Sequence, residues 1–389
     1  MSSSIPYGRQ SIDEHDIAAV EAVLRSDWLT QGPAIERFEQ RVAEYCGARY
    51  AVAVSNATAA LHVACLALQL GPGDILWTAA NTFVASSNCA LYCGAQVDFV
   101  DIDPATLNLS LEHLTQKLAW AERQGCLPKV VVPVHFAGQS CQMEQIRQLS
   151  ELYGFAILED ASHAIGGEYQ GQAVGNCRFS DATVFSFHPV KIITSGEGGM
   201  VLTNREDLYQ SLVRLRSHGI TRDPAQLQGT VDGGWSYQQL ELGFNYRMTD
   251  IQAALGASQM SRLDSFVVRR RELVARYRAA LAGLPLRLPE ELPEAKSAWH
   301  LQVVTLDQAA WRKPLYEALR SQGIQVNVHY QPVYLHPYYR ALGFLPGHCP
   351  QAEFYYDRAL TLPLFPGLSD QDFDAIIDTL ITNLSEIAR

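Results

Sequence analysis

Basic residues are in the minority in this chain: 30 Lys and Arg stand against 41 Asp and Glu, a formal net charge of −11. A protein that rides on nucleic acid or an anionic membrane surface normally shows a basic face, so neither partner is expected. A negatively charged small molecule is not excluded. It would have to be held locally, by helix N-termini and a few chosen side chains. Cys-x-x-Cys pairs are absent. The eight cysteines, Cys46, Cys65, Cys89, Cys93, Cys126, Cys141, Cys177 and Cys349, are scattered along the chain. In 389 residues such scatter suggests buried reduced thiols rather than a disulfide framework or a zinc site. Cys89 and Cys93 are four apart and could share a helix face, but two ligands do not make a metal site, and no metal is expected. No apolar run approaches the roughly 20 residues of a spanning helix. The opening MSSSIPYGRQ has neither the basic stretch nor the apolar core of a secretory signal, so a cytoplasmic protein is expected. Charged residues make up only 18% and hydrophobic ones 48%, an ordinary globular composition. The length exceeds what one small core needs and suits two domains.

Residues 12–27 and 34–46 read as amphipathic helices with WLTQGP as a break between them. A repeating pattern then begins. Tyr50–Val54 reads as a strand, Ala57–Leu70 as a helix, and Gly71-Pro72-Gly73-Asp74 as a turn. Strand Ile75–Thr78, helix Val84–Tyr92 and strand Gln96–Ile102 follow. Lys129–Phe136 is almost continuously apolar, as a parallel strand buried on both faces should be. After helix Cys141–Tyr153 come strands Phe155–Glu159, Ala182–Phe187 and Met200–Thr203. Strands alternating with helices imply an α/β fold with a mostly parallel sheet, here of seven strands, covered on both sides. Ligands of such sheets bind beyond the carboxyl ends of the strands. The places to look are therefore Ser55-Asn56, Asn81–Phe83, Asp103, His135, Asp160 and His188–Lys191. Beyond about residue 260 the texture changes: an Arg-rich helical stretch, Ser261–Ala282, then a strand over His300–Leu306, a helix near Pro314–Gln322, a strand over Gln325–His329 and a helix over Asp370–Ile387. Residues 1–260 are accordingly read as a large domain with an N-terminal helical arm, and 261–389 as a smaller α+β domain.

The segments FAILEDASHAIG and DATVFSFHPVKIITSGEGGMV carry the chemistry. One buried strand ends in Glu159-Asp160; the next ends at Ser186–His188, with Lys191 just beyond. Taken alone, an Asp at a strand end is a turn residue, a Lys near glycines is a solvated loop lysine, and Ser-Asn before a helix is a cap. Together, at strand ends of one sheet, they supply what pyridoxal phosphate needs: an amine for its aldehyde, a carboxylate beside the ring nitrogen, and phosphate donors. Lys191 meets the first need and Asp160 the second. Ser55 or Asn56 caps the helix that starts at Ala57, and the backbone N–H groups of Ala57, Thr58 and Ala59 would point at an anion. The hydroxyls of Thr58 and Ser186 add donors, and Phe83 is placed to stack on the pyridine face. A dry site near other cations would lower the Lys191 pKa and leave part of its amine neutral.

The order SNATAAL, TFVAS, EDASHAIG, SFHPVK, GEGG and GFNYRMTD resembles the sugar-nucleotide aminotransferases of fold type I known as the DegT/DnrJ/EryC1/StrS family, over nearly the whole chain. The resemblance implies Lys191 as the Schiff-base lysine, Asp160 as the partner of the ring nitrogen, and Ser186, Thr58 and Ala57 at the phosphate. It implies that His163 faces the ring-hydroxyl side, where many relatives carry Gln. Asn245 would reach the phosphate of the neighbouring subunit's cofactor, which makes a homodimer with shared active sites. Related 3-dehydratases carry histidine in place of the lysine, so Lys191 favours transamination. IPYGRQSI, WLTQGP and VNVHYQPVYLHPYYR further resemble the C4 aminotransferases of pseudaminic acid biosynthesis, which use glutamate and a UDP-linked 4-keto-6-deoxy-N-acetyl sugar of the L-altrose series. Tyr7, Thr30, His329 and Tyr330 would then line the nucleotide-sugar site. Alternatives stay open at three points. Arg247 forms a structural ion pair or meets a diphosphate or donor carboxylate. His135 is a satisfied strand-end histidine or a site residue. HYQPVYLHPYYR lines the site or braces the small domain. Two rival functions remain: the same chemistry on another nucleotide keto sugar (C3 or C4; dTDP or GDP), and a sugar-sensing regulator that kept the fold without the catalysis.

Overall fold

The computed structural model describes residues 4–389. Its N-terminal arm is α1 (Glu14–Leu24) and α2 (Pro33–Cys46). Asp13 starts α1 in a capping box with Asp16, and a proline opens α2 where its missing N–H costs nothing. Then come β1 (Tyr50–Val54), α3 (Ala57–Ala67), β2 (Ile75–Ala79), α4 (Ala85–Tyr92), β3 (Gln96–Val100), α5 (Leu111–Gln124), β4 (Val130–Val132), α6 (Met143–Tyr153), β5 (Ala156–Asp160), β6 (Ala182–Ser186) and β7 (Gly199–Thr203). The seven strands form one sheet in the order β1-β7-β6-β5-β4-β2-β3. The four neighbouring pairs among β2 to β6 are parallel, whereas β7 runs antiparallel to both β1 and β6. Every residue of β6 and β7 is buried, which explains their unbroken apolar texture.

After α7 (Glu206–Leu215), α8 (Asp250–Gln259) and α9 (Leu263–Ala280), the chain builds a second, antiparallel sheet. Its strands are β8 (Leu286–Arg287), β9 (Gln302–Leu306) and β10 (Ala359–Leu362), with β9 in the middle. Helices α10 (Ala309–Ser321) and α13 (Asp370–Ile387) cover it, with α11 (Pro337–Ala341) and α12 (Pro350–Arg358) between. Leu315, Leu319, Val304, Leu360 and Leu380 make its core.

The sequence pattern meets the structure closely in the large sheet and less well elsewhere. The expected strand Lys129–Phe136 pairs only over Val130–Val132, because Pro133 offers no N–H to the ladder. Val134 regains a single bridge to Asp160. The expected strand Gln325–His329 does not form. Gln325 N–H is taken by the Ile5 carbonyl at 2.8 Å, and Asn327 makes one bridge to Thr361 before the chain turns toward the first sheet. The Arg-rich stretch is a short 3-10 turn, Met260–Arg262, followed by α9. Strand β10 closes the second sheet at a place where no strand is expected from the sequence.

Phe38 on α2 links the arm to the strand that leads into the site. It is fully buried, and its ring lies 4.9 Å from that of Phe187. On its other side α8 approaches so closely that a Cβ on Gly256 would sit 2.5 Å from the Phe38 ring. Phe38→Ala is expected to cost about 3–5 kcal/mol in urea unfolding. Gly256→Ala is expected to destabilise the wild-type protein but to be neutral or stabilising beside Phe38→Ala, where the clash is gone and the helix propensity of alanine counts. Equal effects of Gly256→Ala in both backgrounds would refute this packing account.

Candidate active site

At the carboxyl ends of β5 and β6 lies a cavity of about 1090 Å³. Asp160, the last residue of β5, lines it. Its backbone N–H donates to Pro133 and its carbonyl accepts from His135, so its position is fixed from the β4 side. Ser86 Oγ donates to the carboxylate at 2.6 Å, and the Ser162 N–H donates to the other oxygen at 3.1 Å. Thr82 and Ser86 are themselves hydrogen-bonded at 2.8 Å. Ser86 therefore orients the carboxylate. It stands inside the TFVAS motif, but nothing in its spacing alone reveals that role.

Lys191 lies across the same cavity, just past β6, after a turn closed by its own N–H on the His188 carbonyl at 2.9 Å. Burial lowers its ammonium from the usual lysine range to about 8, against the opposing pull of Asp160. Ser186, at the end of β6, lines the cavity too.

The third side is the start of α3. Asn56 is the N-cap, and its side-chain oxygen accepts the Ala59 N–H at 2.8 Å. The expectation that Ala59 joins the anion donors is therefore corrected: its N–H is already spent on the cap. The N–H groups of Ala57 and Thr58 remain, and both residues line the cavity. Strand β7 presses against this turn. A Cβ on Gly199 would lie 2.5 Å from the Asn56 carbonyl and 2.6 Å from the Ala57 nitrogen, so only glycine permits the approach.

The other walls are largely aromatic. Phe83 lines the cavity and is 58% exposed, so it is not a core residue. Tyr330 is 6.4 Å from it, ring to ring, and Tyr7 packs at 5.4 Å on His329. His329 is held by Thr361 Oγ1 at 2.9 Å, and burial drives its pKa down to about 3, so it is neutral. His163 borders the cavity and approaches the Tyr330 hydroxyl through Nε2 at 3.3 Å.

Ten of the candidate residues thus face one cavity: Tyr7, Ala57, Thr58, Phe83, Asp160, His163, Ser186, Lys191, His329 and Tyr330. Thr30, Asn245 and Arg247 do not line it. Thr30 is exposed and bridges Thr249 through its backbone. Asn245 is exposed. Arg247 has no carboxylate in ion-pair range among the described residues and donates to Ser217 at 2.9 Å, so the structural ion pair is not formed. His135 is fully buried: it hydrogen-bonds Glu159 at 2.6 Å and accepts from the Cys141 N–H at 3.2 Å. Burial would raise the Glu159 carboxyl, but hydrogen bonds from His135, Ser180 and Thr183 outweigh it and lower its pKa. This pair is structural. The sequence left unassigned Tyr92 and Tyr246 on one wall, His188 and Glu197 near Lys191, and His336 and Tyr356 at the far end. His188 and Glu197 stand in quoted motifs, while Tyr356 carries no local signal.

An amine of lowered pKa, a fixed carboxylate and two free N–H groups at a helix start fit a phosphorylated pyridine aldehyde. Comparison with known proteins agrees. Residues 10–381 match the DegT/DnrJ/EryC1/StrS aminotransferase family. The chain is 38% identical, over 97% of its length and 96% of the other, to the spore coat polysaccharide biosynthesis protein SpsC of Bacillus subtilis. Its structure is similar to the putative sugar aminotransferase Spr1654 of Streptococcus pneumoniae in its PMP form, with a TM-score of 0.90 and 32% identity over 98% of this chain and all of the other. It is also similar to Helicobacter pylori PseC, an aminotransferase involved in the biosynthesis of pseudoaminic acid, with a TM-score of 0.89 and 30% identity over 99% of this chain and all of the other. The architecture, a mostly parallel sheet with a smaller C-terminal α+β part, is that of the fold type I transferases. The chain belongs to the DegT/DnrJ/EryC1/StrS aminotransferase family and is a pyridoxal-phosphate-dependent sugar aminotransferase.

Proposed function

We propose that the enzyme moves an amino group from L-glutamate to C4 of a UDP-linked 4-keto-6-deoxy-N-acetylhexosamine of the L-altrose series. The products are the UDP-4-amino sugar and 2-oxoglutarate, in pseudaminic acid biosynthesis. The observation that carries the reading is the placement of Lys191 and Asp160 on one cavity that is also lined by the aromatic side chains of Tyr7, Tyr330 and Tyr356. At about 1090 Å³ this cavity is at the upper end of small-molecule sites, with room for a cofactor and a second molecule. The likeness to PseC, an aminotransferase involved in the biosynthesis of pseudoaminic acid, supports the pathway.

In this reading residues 1–260 hold the cofactor and 261–389 form the smaller domain. When bound, the cofactor's protonated ring withdraws electrons and stabilises negative charge at the carbon under attack. Asp160, held by Ser86, would be the carboxylate beside that ring nitrogen. Lys191 would hold the aldehyde through its amine, and the same amine, when free, would be the base that moves a proton at the donor carbon and at the sugar carbon. Ala57, Thr58 and Ser186 bind the phosphate, His163 meets the ring oxygen, and Phe83 covers the ring face. Tyr7, His329 and Tyr330, which line the cavity, contact the sugar nucleotide, whereas Thr30 and Arg247, which lie outside it, would reach it only across the interface of a homodimer. Asn245 reaches the partner's cofactor in a homodimer. The exposure of Trp28, Trp235 and Leu242 supports such an interface. No helix among the described residues is long and apolar enough to cross a membrane, and the proposed location is the cytoplasm.

Lys191→Ala and Lys191→Arg are each expected to lower turnover by at least about 10²–10⁴-fold, the range of a lost acid–base group, with no yellow lysine-bound cofactor band. Wild-type turnover in either variant refutes the assignment. Gly199→Ala is expected to push the Asn56-Ala57 turn away and weaken cofactor binding about tenfold or more, read by titrating the apoprotein; unchanged affinity would show that this turn does not hold the phosphate. A panel of UDP-, dTDP- and GDP-linked 3-keto and 4-keto sugars, with product regiochemistry by NMR, tests the substrate. Preference for a 3-keto sugar or another nucleotide would overturn the C4, UDP reading in favour of its rival.

A further inference from the structure

His163 has a second imidazole behind it. His300 is buried, does not line the cavity, and its ring centroid lies 4.5 Å from that of His163 at a tilt of 49°. The contact is built in from the backbone. His300 N–H donates to the Ala137 carbonyl at 2.8 Å, and Arg270 Nη1 donates to the His300 carbonyl at 3.2 Å. Ala137 and Trp299 both hold a positive φ, +57° and +49°. Between them Gly138 is packed so tightly that a Cβ would meet Trp299 N at 2.7 Å and both His163 O and His300 N at 3.0 Å. Positive φ at non-glycine residues costs free energy and persists where the surroundings enforce it. Here two such positions and one tightly packed glycine converge on one histidine.

The chemistry of the pair is as unusual as its placement. The Nδ1 atoms of both His163 and His300 are buried without a hydrogen-bond partner among the described residues. Such atoms are rare and usually costly. The charged and titratable groups facing the pair are Lys191, Arg270, His329 and Tyr330. None of these is an acid, so burial and neighbouring positive charge both oppose a proton on either ring. His300 and His163 are thus two neutral imidazoles in contact. A neutral imidazole is a donor at one nitrogen and an acceptor at the other, and the surroundings decide which.

We propose that His300 is a positioning residue for the transamination: it braces the ring of His163 and so sets how His163 meets the cofactor's ring oxygen. This rests on the placement of that oxygen beside His163 in the function proposed above. His300 touches neither cofactor nor substrate and acts only through His163.

The test is a pH titration of the visible absorbance of the holoenzyme, which reads the proton affinity of the lysine-bound cofactor directly. His300→Phe keeps the ring and removes its nitrogens. It is expected to bind the cofactor, shift the titration midpoint by about one unit or more, a tenfold change in proton affinity, and lower kcat with KM for the amino donor unchanged. His300→Gln, which restores a polar group, is expected to recover most of the shift, and stands in where phenylalanine disturbs folding by circular dichroism. His163→Phe is expected to shift the midpoint in its own right, and His163→Phe/His300→Phe no further than His163→Phe alone. Titrations of both His300 variants that superimpose on wild type overturn the proposal, as do additive shifts in the double variant. A wild-type protein that gains no visible band with cofactor would instead overturn the function on which the proposal rests.

Discussion

A parallel strand cannot be joined to its neighbour by a tight turn; the chain must cross over, usually through a helix, and start again from the same end. Five strands of this sheet, β2 to β6, obey that constraint. All five therefore finish on one edge, and whatever follows their last residues is gathered there. Asp160 closes β5 and Ser186 closes β6, so the carboxylate and the lysine-bearing loop become neighbours although 31 residues separate Asp160 from Lys191. Antiparallel β7 then returns between β6 and β1, bringing glycine backbone against the start of α3. The site follows from strand polarity.

Adjacent residues on β5 show how finely that edge is divided. Side chains alternate across a strand, so Glu159 and Asp160 point to opposite faces. Glu159 turns into the protein and is consumed by His135, Ser180 and Thr183. Asp160 turns to the cavity, where its carboxylate accepts hydrogen bonds from Ser86 Oγ and the Ser162 N–H. Two acids one residue apart thus have separate tasks, one structural and one at the cavity wall.

These features were legible in the sequence to different degrees, for physical reasons. The strands of the large sheet announce themselves because both their faces are buried and their sequences are apolar throughout. Lys191, Asp160, Ser186 and the Ala57-Thr58 turn follow, since strand ends are where such sheets bind ligands. Arg247 stays ambiguous because a motif does not say which molecule a side chain will face. The Ala59 N–H was misassigned because whether a cap side chain closes on N3 is decided by a rotamer, not by residue type. Tyr356 and Ser86 escaped notice because each acts through tertiary placement: Tyr356 comes from α12, far along the chain, and Ser86 matters only through its 2.6 Å contact with Asp160. The segment Gln325–His329 has the composition of a strand, but pairing is a contest for partners, and Ile5 and Thr361 take only part of its backbone.

The capping of α3 by Asn56 has a consequence for how the protein meets its cofactor. A helix start with all its donors bare would lean on an incoming anion to finish it, and would fray without one. Here the first turn is already tied by the chain itself, through Ala59. The anion finds a rigid seat and pays little ordering entropy to use it. The same economy limits the seat to two backbone donors, so in the proposed function the phosphate would take the remainder from side chains such as Thr58 and Ser186. The holding of the cofactor proposed above would thereby be divided between a turn already tied before binding and hydroxyls that can rotate to meet it.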